Sequence, residues 1–233
     1  MKNLVKMARA EYNTARSNRT LVTPNVALIT DENNKVEYLK NNPTSDIGIA
    51  SWEGGVRKFY SLEEWNALET KPTALGVYVF TEQSQFIIHG TLNTSVKWSN
   101  NITVAVPAVV TTTQNANAIL DFAGAANTQA VLDAVTGGII EDAPLFTWAR
   151  ALTFADGAEP YVPAAGQLEL IRLNLAVINA CRAALGQGAI VFDARNICSS
   201  TQYNANFGWG WSGSSWNRIG KVNNTYGVAV CAL

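Results

Sequence analysis

The sequence predicts an α+β fold in which short antiparallel strands come first, helices fill the middle and strands return at the end. Residues 22–100 alternate β-branched and aromatic runs with turn residues, whereas from about residue 115 the apolar residues recur at helical spacing. The composition, 48% hydrophobic and 15% charged, is that of a globular chain whose surface is covered by Asn, Thr, Ser and Gln more than by charge.

The mixed charge and alanines of residues 1–20 predict a frayed helix. "VALITDENNKVEYL" reads as a hairpin: apolar 26–30, turn 31–34, then Val36 and Tyr38 alternating with Lys35 and Glu37. "DIGIASWEGGVRKFYSLEEWNAL" predicts a second hairpin turning at Gly54-Gly55, then a short helix entered through the capping-box pair Ser61 and Glu64 and stopped by Pro72. Residues 76–80 and 85–89 form a third strand pair. A small β-rich module over 1–74 is expected to run into a second domain over 75–233 without a flexible spacer.

In the helical part, Asn127 is the expected N-cap of "TQAVLDAV", which Gly137-Gly138 ends. Asp142 precedes "APLFTWARAL", with Pro144 in its first turn. "AAGQLELIRLNLAVINACRAALGQG" holds two helices, one burying Leu168 and Ile171, the other Val177, Ile178, Cys181 and Leu185, with Gly186 and Gly188 as the stop. A strand "AIVFDA", a Trp-rich run and a last strand "GVAVCAL" close the chain.

Several function classes find no footing. A net charge of −1 offers no electrostatic footprint for nucleic acid. Lys6, Arg9 and Glu11 interrupt the start, so neither a secretory signal nor a span of roughly 20 apolar residues is expected, and synthesis in a cytoplasm follows. Cys181, Cys198 and Cys231 form no C-x-x-C pair and read as reduced, buried thiols. His89 is the sole histidine, which excludes a multi-His metal centre. Asp133, Glu141, Asp142, Glu169 and Asp193 make no acid–base motif, there is no G-x-S-x-G, "GQGAI" follows a helix, and "DENN" lacks the rest of a calcium loop. No catalytic residue, cofactor or metal is expected.

One stretch stands apart. "NANFGWGWSGSSWNRIGKVNN", residues 204–224, holds three tryptophans and no carboxylate. Such a mixture suits a binding surface, and equally a twisted hairpin whose aromatics are core. On a strand, Trp209 and Trp211 share one face and Asn206, Gly208, Gly210 and Ser212 the other. The expected assignment makes Trp209, Trp211 and Trp216 the scaffold. The contact surface is then Tyr203, Asn204, Asn206, Phe207, Gly208, Gly210, Ser212, Ser214, Ser215, Asn217, Arg218, Ile219, Val222, Asn223, Asn224 and Tyr226.

"YVPAAGQLELIRLNLAVINACRAALG" and "ICSSTQYNANFGWGWSGSSWNRIGKVNNTYGVAVCAL" resemble the C-type-lectin-fold variable proteins diversified by retroelements in phages and bacteria, particularly those of Bacteroides and their phages. The family's "lPsagEl" helix start is matched at 162–168 with Gln167 in the Glu place. Its "WSSTeY" start of the variable region is matched from Cys198, which replaces the Trp, and "DFAGAANTQAVLDA" is similar to a further family segment. The likeness covers roughly residues 75–233.

The resemblance implies a C-type-lectin-like (formylglycine-generating-enzyme-like) domain with a variable region near 198–227. It further implies a homotrimer and a non-enzymatic adhesin on a phage tail tip or fibre, binding a bacterial surface protein or glycan. Family diversification mutates adenines, which carries Asn codons to Ser, Gly, Arg, Ile, Val, Tyr or Phe but never to Trp, Lys, Gln or Glu. Phe207, Gly208, Gly210, Ser212, Ser214, Ser215, Arg218, Ile219 and Val222 are reachable in this way, and the tryptophans and Lys221 are not. Calcium-binding lectins of this fold carry Glu-Pro-Asn and Trp-Asn-Asp, where this chain has "EPY" at Glu159 and "WNR" at Trp216. A structural virion subunit, or a formylglycine-generating-type enzyme built on Cys198 and Cys231, are the alternatives.

Overall fold

The apolar alternation of the first half closes into sheets, and those sheets are wider than the hairpins that seed them. A computed structural model describes residues 46–100, 104–192 and 196–233, together with the backbone of three short strands, β1 (Lys6–Ala8), β2 (Leu28–Thr30) and β3 (Val36–Tyr38). β2 and β3 pair antiparallel in the predicted hairpin, Leu28 opposite Tyr38. β1 pairs with β2 in parallel, which corrects the helix expected there: at Lys6–Ala8 a neighbouring strand supplies the backbone partners that a short isolated helix holds only marginally. The rest of that expected helix lies outside the described residues.

β4 (Asp46–Glu53) and β5 (Val56–Tyr60) turn through Gly54 (φ 59°) and Gly55 (φ 83°), a left-handed pair that glycine adopts without strain. Helix α1 (Leu62–Ala67) starts with the predicted capping box: Ser61 Oγ accepts from Glu64 N at 3.1 Å and Glu64 accepts from Ser61 N at 2.8 Å. β6 (Thr73–Phe80) and β7 (Gln85–Ile88) follow, then β8 (Asn93–Lys97). β4 to β7, with β9 (Pro160–Tyr161) and β14 (Val230–Ala232), build a six-stranded antiparallel sheet ordered β5-β4-β6-β7-β14-β9.

Both faces of this sheet are covered. Val77, Val79, Phe86 and Ile88 point into one core cluster and Tyr78, Phe80 and Ile87 into another, the period-2 alternation expected of a strand. The expected division at 74/75 therefore fails: it falls inside β6, whose pairing with β4 runs from Asp46 opposite Phe80 to Trp52 opposite Thr73. Residues 46–74 belong to the same sheet as the end of the chain.

The helical middle comprises α2 (Asn115–Ala118), α3 (Gly124–Thr136), α4 (Pro144–Ala151), α5 (Ala165–Leu173) and α6 (Leu175–Ala184). α5 and α6 bury Leu168, Ile171, Ile178 and Cys181 against the six-stranded sheet, while Val177, expected on that face, is 48% exposed. α3 begins at Gly124, three residues before the expected cap. Asn127 is instead buried, donating to Asp121 Oδ2 at 2.8 Å and accepting from Val110 N at 3.0 Å. Ala143, not Asp142, precedes the first residue of α4; Asp142 turns back to accept from Asn100 N at 3.1 Å.

The expected strand "AIVFDA" is absent over 189–192, and Asp193 and Ala194 lie outside the described residues. Asn179 takes a strand's place there, accepting from Ile190 N and donating to Ile190 O, each at 2.9 Å, so the segment buries Ile190 and Phe192 without a ladder. A second sheet, ordered β12-β11-β10-β13-β8, is made by β10 (Ile197–Gln202), β11 (Phe207–Ser212), β12 (Ser215–Gly220), β13 (Asn224–Gly227) and β8. It is antiparallel except between β10 and β13.

Candidate functional site

The Trp-rich run is the β11–β12 hairpin, at the edge of the five-stranded sheet. Register places Phe207 opposite Gly220, Trp209 opposite Arg218 and Trp211 opposite Trp216, so these six share one face. Gly208, Gly210 and Ser212 lie on the other, opposite Ile219, Asn217 and Ser215.

Both faces are packed near the middle of the sheet, for different reasons. Trp209, 4% exposed, rests on Ala118 and Ala165 and donates from Nε1 to Thr112 O at 2.6 Å. Trp211 and Trp216 are half-buried and meet edge-on, centroids 6.1 Å apart. Trp216 Nε1 donates to Glu169 Oε2 at 2.7 Å, and the Arg172 guanidinium lies 4.4 Å from the Trp211 ring centroid. Glu169 and Arg172 are joined by two hydrogen bonds of 2.7 Å. Burial raises the Glu169 carboxyl, but bonds from Arg172 and Trp216 outweigh it and leave the group below its ordinary range; the bond to Glu169 raises Arg172. The scaffold role expected for the three tryptophans fits this packing.

On the opposite face, Gly208, Gly210 and Ile219 are buried, and their expected place on the contact surface is corrected. A Cβ on Gly208 would come within 3.1 Å of the Trp98 ring, and one on Gly210 would collide with Ile197 O and Ile219 Cδ1. Ile219, 3% exposed, belongs to the core cluster of Trp98, Phe146 and Cys198. Alternation on β11 and β12 turns these positions toward the cluster of Trp98, Phe146 and Cys198.

Asn206, Ser214, Ser215, Asn217, Arg218, Asn223 and Asn224 are exposed as expected, while Tyr203, Phe207, Ser212, Val222 and Tyr226 are half-buried. Asn204 shapes the loop, its Oδ1 accepting from Asn206 N at 2.9 Å and Phe207 N at 3.1 Å. Tyr203 stands edge-on to Phe207 and Trp209 at 6.2 and 5.1 Å.

The hairpin sits on a buried polar layer whose pairing no local pattern predicts. Lys221, 0% exposed, donates to Gln202 Oε1 at 2.5 Å and Val104 O at 3.1 Å, with its ammonium 4.3 Å from the Trp98 centroid. Burial lowers it to about 8. Gln202 Oε1 also accepts from Val106 N at 3.0 Å, so this pair ties residues 104–106 to the hairpin. Beside it, Asp121 accepts from Thr201 Oγ1 at 2.6 Å as well as from Asn127. Neither group shows a motif; only the polar run "SSTQ" in a strand that is buried throughout could have signalled it.

Cys198 and Cys231 sit in different core clusters, and burial pushes both thiols up to about 12. His89 accepts at Nδ1 from Thr91 N at 3.0 Å and contacts Thr153 O through Nε2 at 3.2 Å; burial lowers its pKa. Among the described residues no group of three or more His, Cys, Asp or Glu is placed to hold a metal ion, and no helix is long and apolar enough to cross a membrane.

Fold and site together define an α+β protein of two antiparallel-rich sheets with an aromatic-backed polar hairpin at one edge. Among solved structures the chain is similar to a fimbrial protein from Bacteroides ovatus, with a TM-score of 0.59 and 14% identity over 81% of this chain. The match spans 49% of that protein, about half its length, and the likeness is one of fold. No family model matches the chain, and no curated protein does.

Proposed function

We propose that this chain is a non-enzymatic, adhesin-like recognition protein with a C-type-lectin-like fold, whose contact surface is the exposed part of the β11–β12 hairpin and the loop after it. The observation that carries the reading is a division of labour within one hairpin. Asn206, Ser214, Ser215, Asn217, Arg218 and Asn223 are exposed, while Trp209, Gly208, Gly210 and Ile219 are locked into packing. Side chains that can change sit on a backbone that cannot, as a diversified binding surface needs. The fold likeness to a fimbrial protein agrees with a surface-recognition role, and the protonated, separated thiols of Cys198 and Cys231 favour binding over thiol chemistry.

On this reading the protein is a retroelement-diversified member of the resembled family, displayed as a trimer on a phage tail, and its partner is a bacterial surface protein or glycan. Two measurements test it. Labelled full-length protein should bind cells of some Bacteroides strains, and Ser214→Arg or Asn217→Arg should abolish binding while Ala180→Arg, at an exposed position of α6 outside the hairpin, leaves it intact. Deep sequencing of the gene in a natural population should show adenine-derived substitutions at the exposed positions beside a template copy. A uniform segment without a template would sink the diversification.

A further inference from the structure

The two arginines on the tryptophan face are in opposite electrostatic states. Arg172 is closed by its bidentate pairing with Glu169. Arg218 is exposed, and among the described residues no carboxylate lies within ion-pair distance of it. Residues 204–224 contain no Asp or Glu at all.

Arg218 is nevertheless held in place. Its guanidinium lies 5.2 Å from the Phe207 centroid and 6.0 Å from that of Tyr203. Phe207 is its diagonal neighbour across the hairpin, and Gly220 directly opposite Phe207 has no side chain to cover the ring. A Cβ on Gly220 would come within 3.0 Å of the Asn223 carboxamide, so that exposed amide lies on the side of β12 that Gly220 presents opposite Phe207. A guanidinium fixed by two rings keeps a planar donor edge for a bidentate carboxylate.

The surroundings select among carboxylates. Half-buried ring faces suit the C–H face of a pyranose, and a carboxamide offers both donor and acceptor to vicinal hydroxyls. Tyr and Arg are also frequent anchors of protein interfaces, so an acidic peptide is the competing occupant. None of the large exposed apolar side chains, Val56, Val110, Leu120, Ile139, Leu173, Val177 and Val191, falls in the hairpin segment to extend such an interface.

We infer that the corner formed by Tyr203, Phe207, Arg218 and Asn223 binds an acidic sugar, a uronic- or sialic-acid residue of a surface glycan, through its carboxylate and without calcium. This names the ligand class for the recognition surface proposed above and rests on that reading.

Calorimetric titration of the full-length protein with trigalacturonic acid and with sialyllactose tests it, using maltotriose and tetraglutamate as controls. At least one acidic sugar should bind, equally well with EDTA present. Arg218→Lys should weaken it about tenfold or more while leaving the thermal transition unchanged, because a bidentate charge-assisted pair is lost and the position is exposed. Maltotriose and tetraglutamate should not bind. Silence from both acidic sugars, binding indifferent to Arg218→Lys, or equal binding of tetraglutamate overturns the proposal. Cell binding separates the two readings. Adhesion that survives Arg218→Lys and excess trigalacturonate removes the ligand class and leaves the adhesin. Arg218-dependent sugar binding by a protein that adheres to no cell does the reverse.

Discussion

Gly210 has no room for a side chain, because a Cβ there meets Ile197 O and Ile219 Cδ1. Overpacking at such a point costs about 1–3 kcal/mol, so Gly210→Ser should lower the urea midpoint by a corresponding amount, whereas Ser214→Gly in the exposed turn should barely move it. In a diversified population the same contrast predicts invariance at Gly208, Gly210 and Ile219. Lys221 makes a prediction of different kind. Burial lowers it from 10.5 to about 8, so between those values the unfolded chain binds the proton that the folded chain has released. Folding stability from this group therefore rises with pH from about 8 to 10.5 and is flat below about 8. The raised thiols of Cys198 and Cys231 work in the opposite sense above 9, where the unfolded chain ionises first. Subtracting the stability–pH curve of Lys221→Met from that of the native chain isolates the lysine; a difference that falls or stays level between pH 8 and 10 would refute its burial as a charge.

At the scale of elements, Asn179 does for residues 189–192 what a neighbouring strand would have done. Asn179→Ala leaves Ile190 N and O without their partners, and a loss of about 1–3 kcal/mol is expected in chemical denaturation. Asn179→Asp, which accepts from Ile190 N but cannot donate to Ile190 O, should fall between the two. This segment also marks where the sequence ceased to be readable. Alternation and turn chemistry are local, so the hairpin through Gly54-Gly55, the Ser61–Glu64 capping box and the β6–β7 pair could be read directly. "AIVFDA" has a strand's composition, and what denies it a ladder is a side chain from α6, which no local rule contains. Asn127 has an N-cap's residue type for the same polarity that lets it join Asp121 and Val110 in the interior. In the candidate site the shared face of Trp209 and Trp211 follows from period 2, whereas the cover on the opposite face does not. Its cover comes from Trp98, far away in the chain.

For the whole molecule the decisive link is β6. A boundary at 74/75 would leave β6 nearly entire but strip away β4, its partner from Asp46 to Trp52, and with it Ile49, Tyr60 and Trp65, which are buried in the core shared with α5, α6 and β14. Emptying three such positions costs about 2–5 kcal/mol each, comparable with the roughly 5–15 kcal/mol that a domain has in total. β6 would also become an edge strand that is apolar on both faces, a template for aggregation. A fragment of residues 75–233 should therefore show no cooperative thermal transition by circular dichroism and should aggregate, although it carries the whole tryptophan hairpin. The hairpin would fail with it, because Trp211 and Trp216 pack onto the same cluster that Ile49 and Trp65 complete. Supplying residues 1–74 in trans during refolding should restore a cooperative melt, since they carry the β4–β5 pair and α1 that the fragment's core lacks. A sharp transition in the fragment alone would mean that the recognition surface rests on a core independent of β4, and the six-stranded sheet would then be a docking of two units rather than one fold.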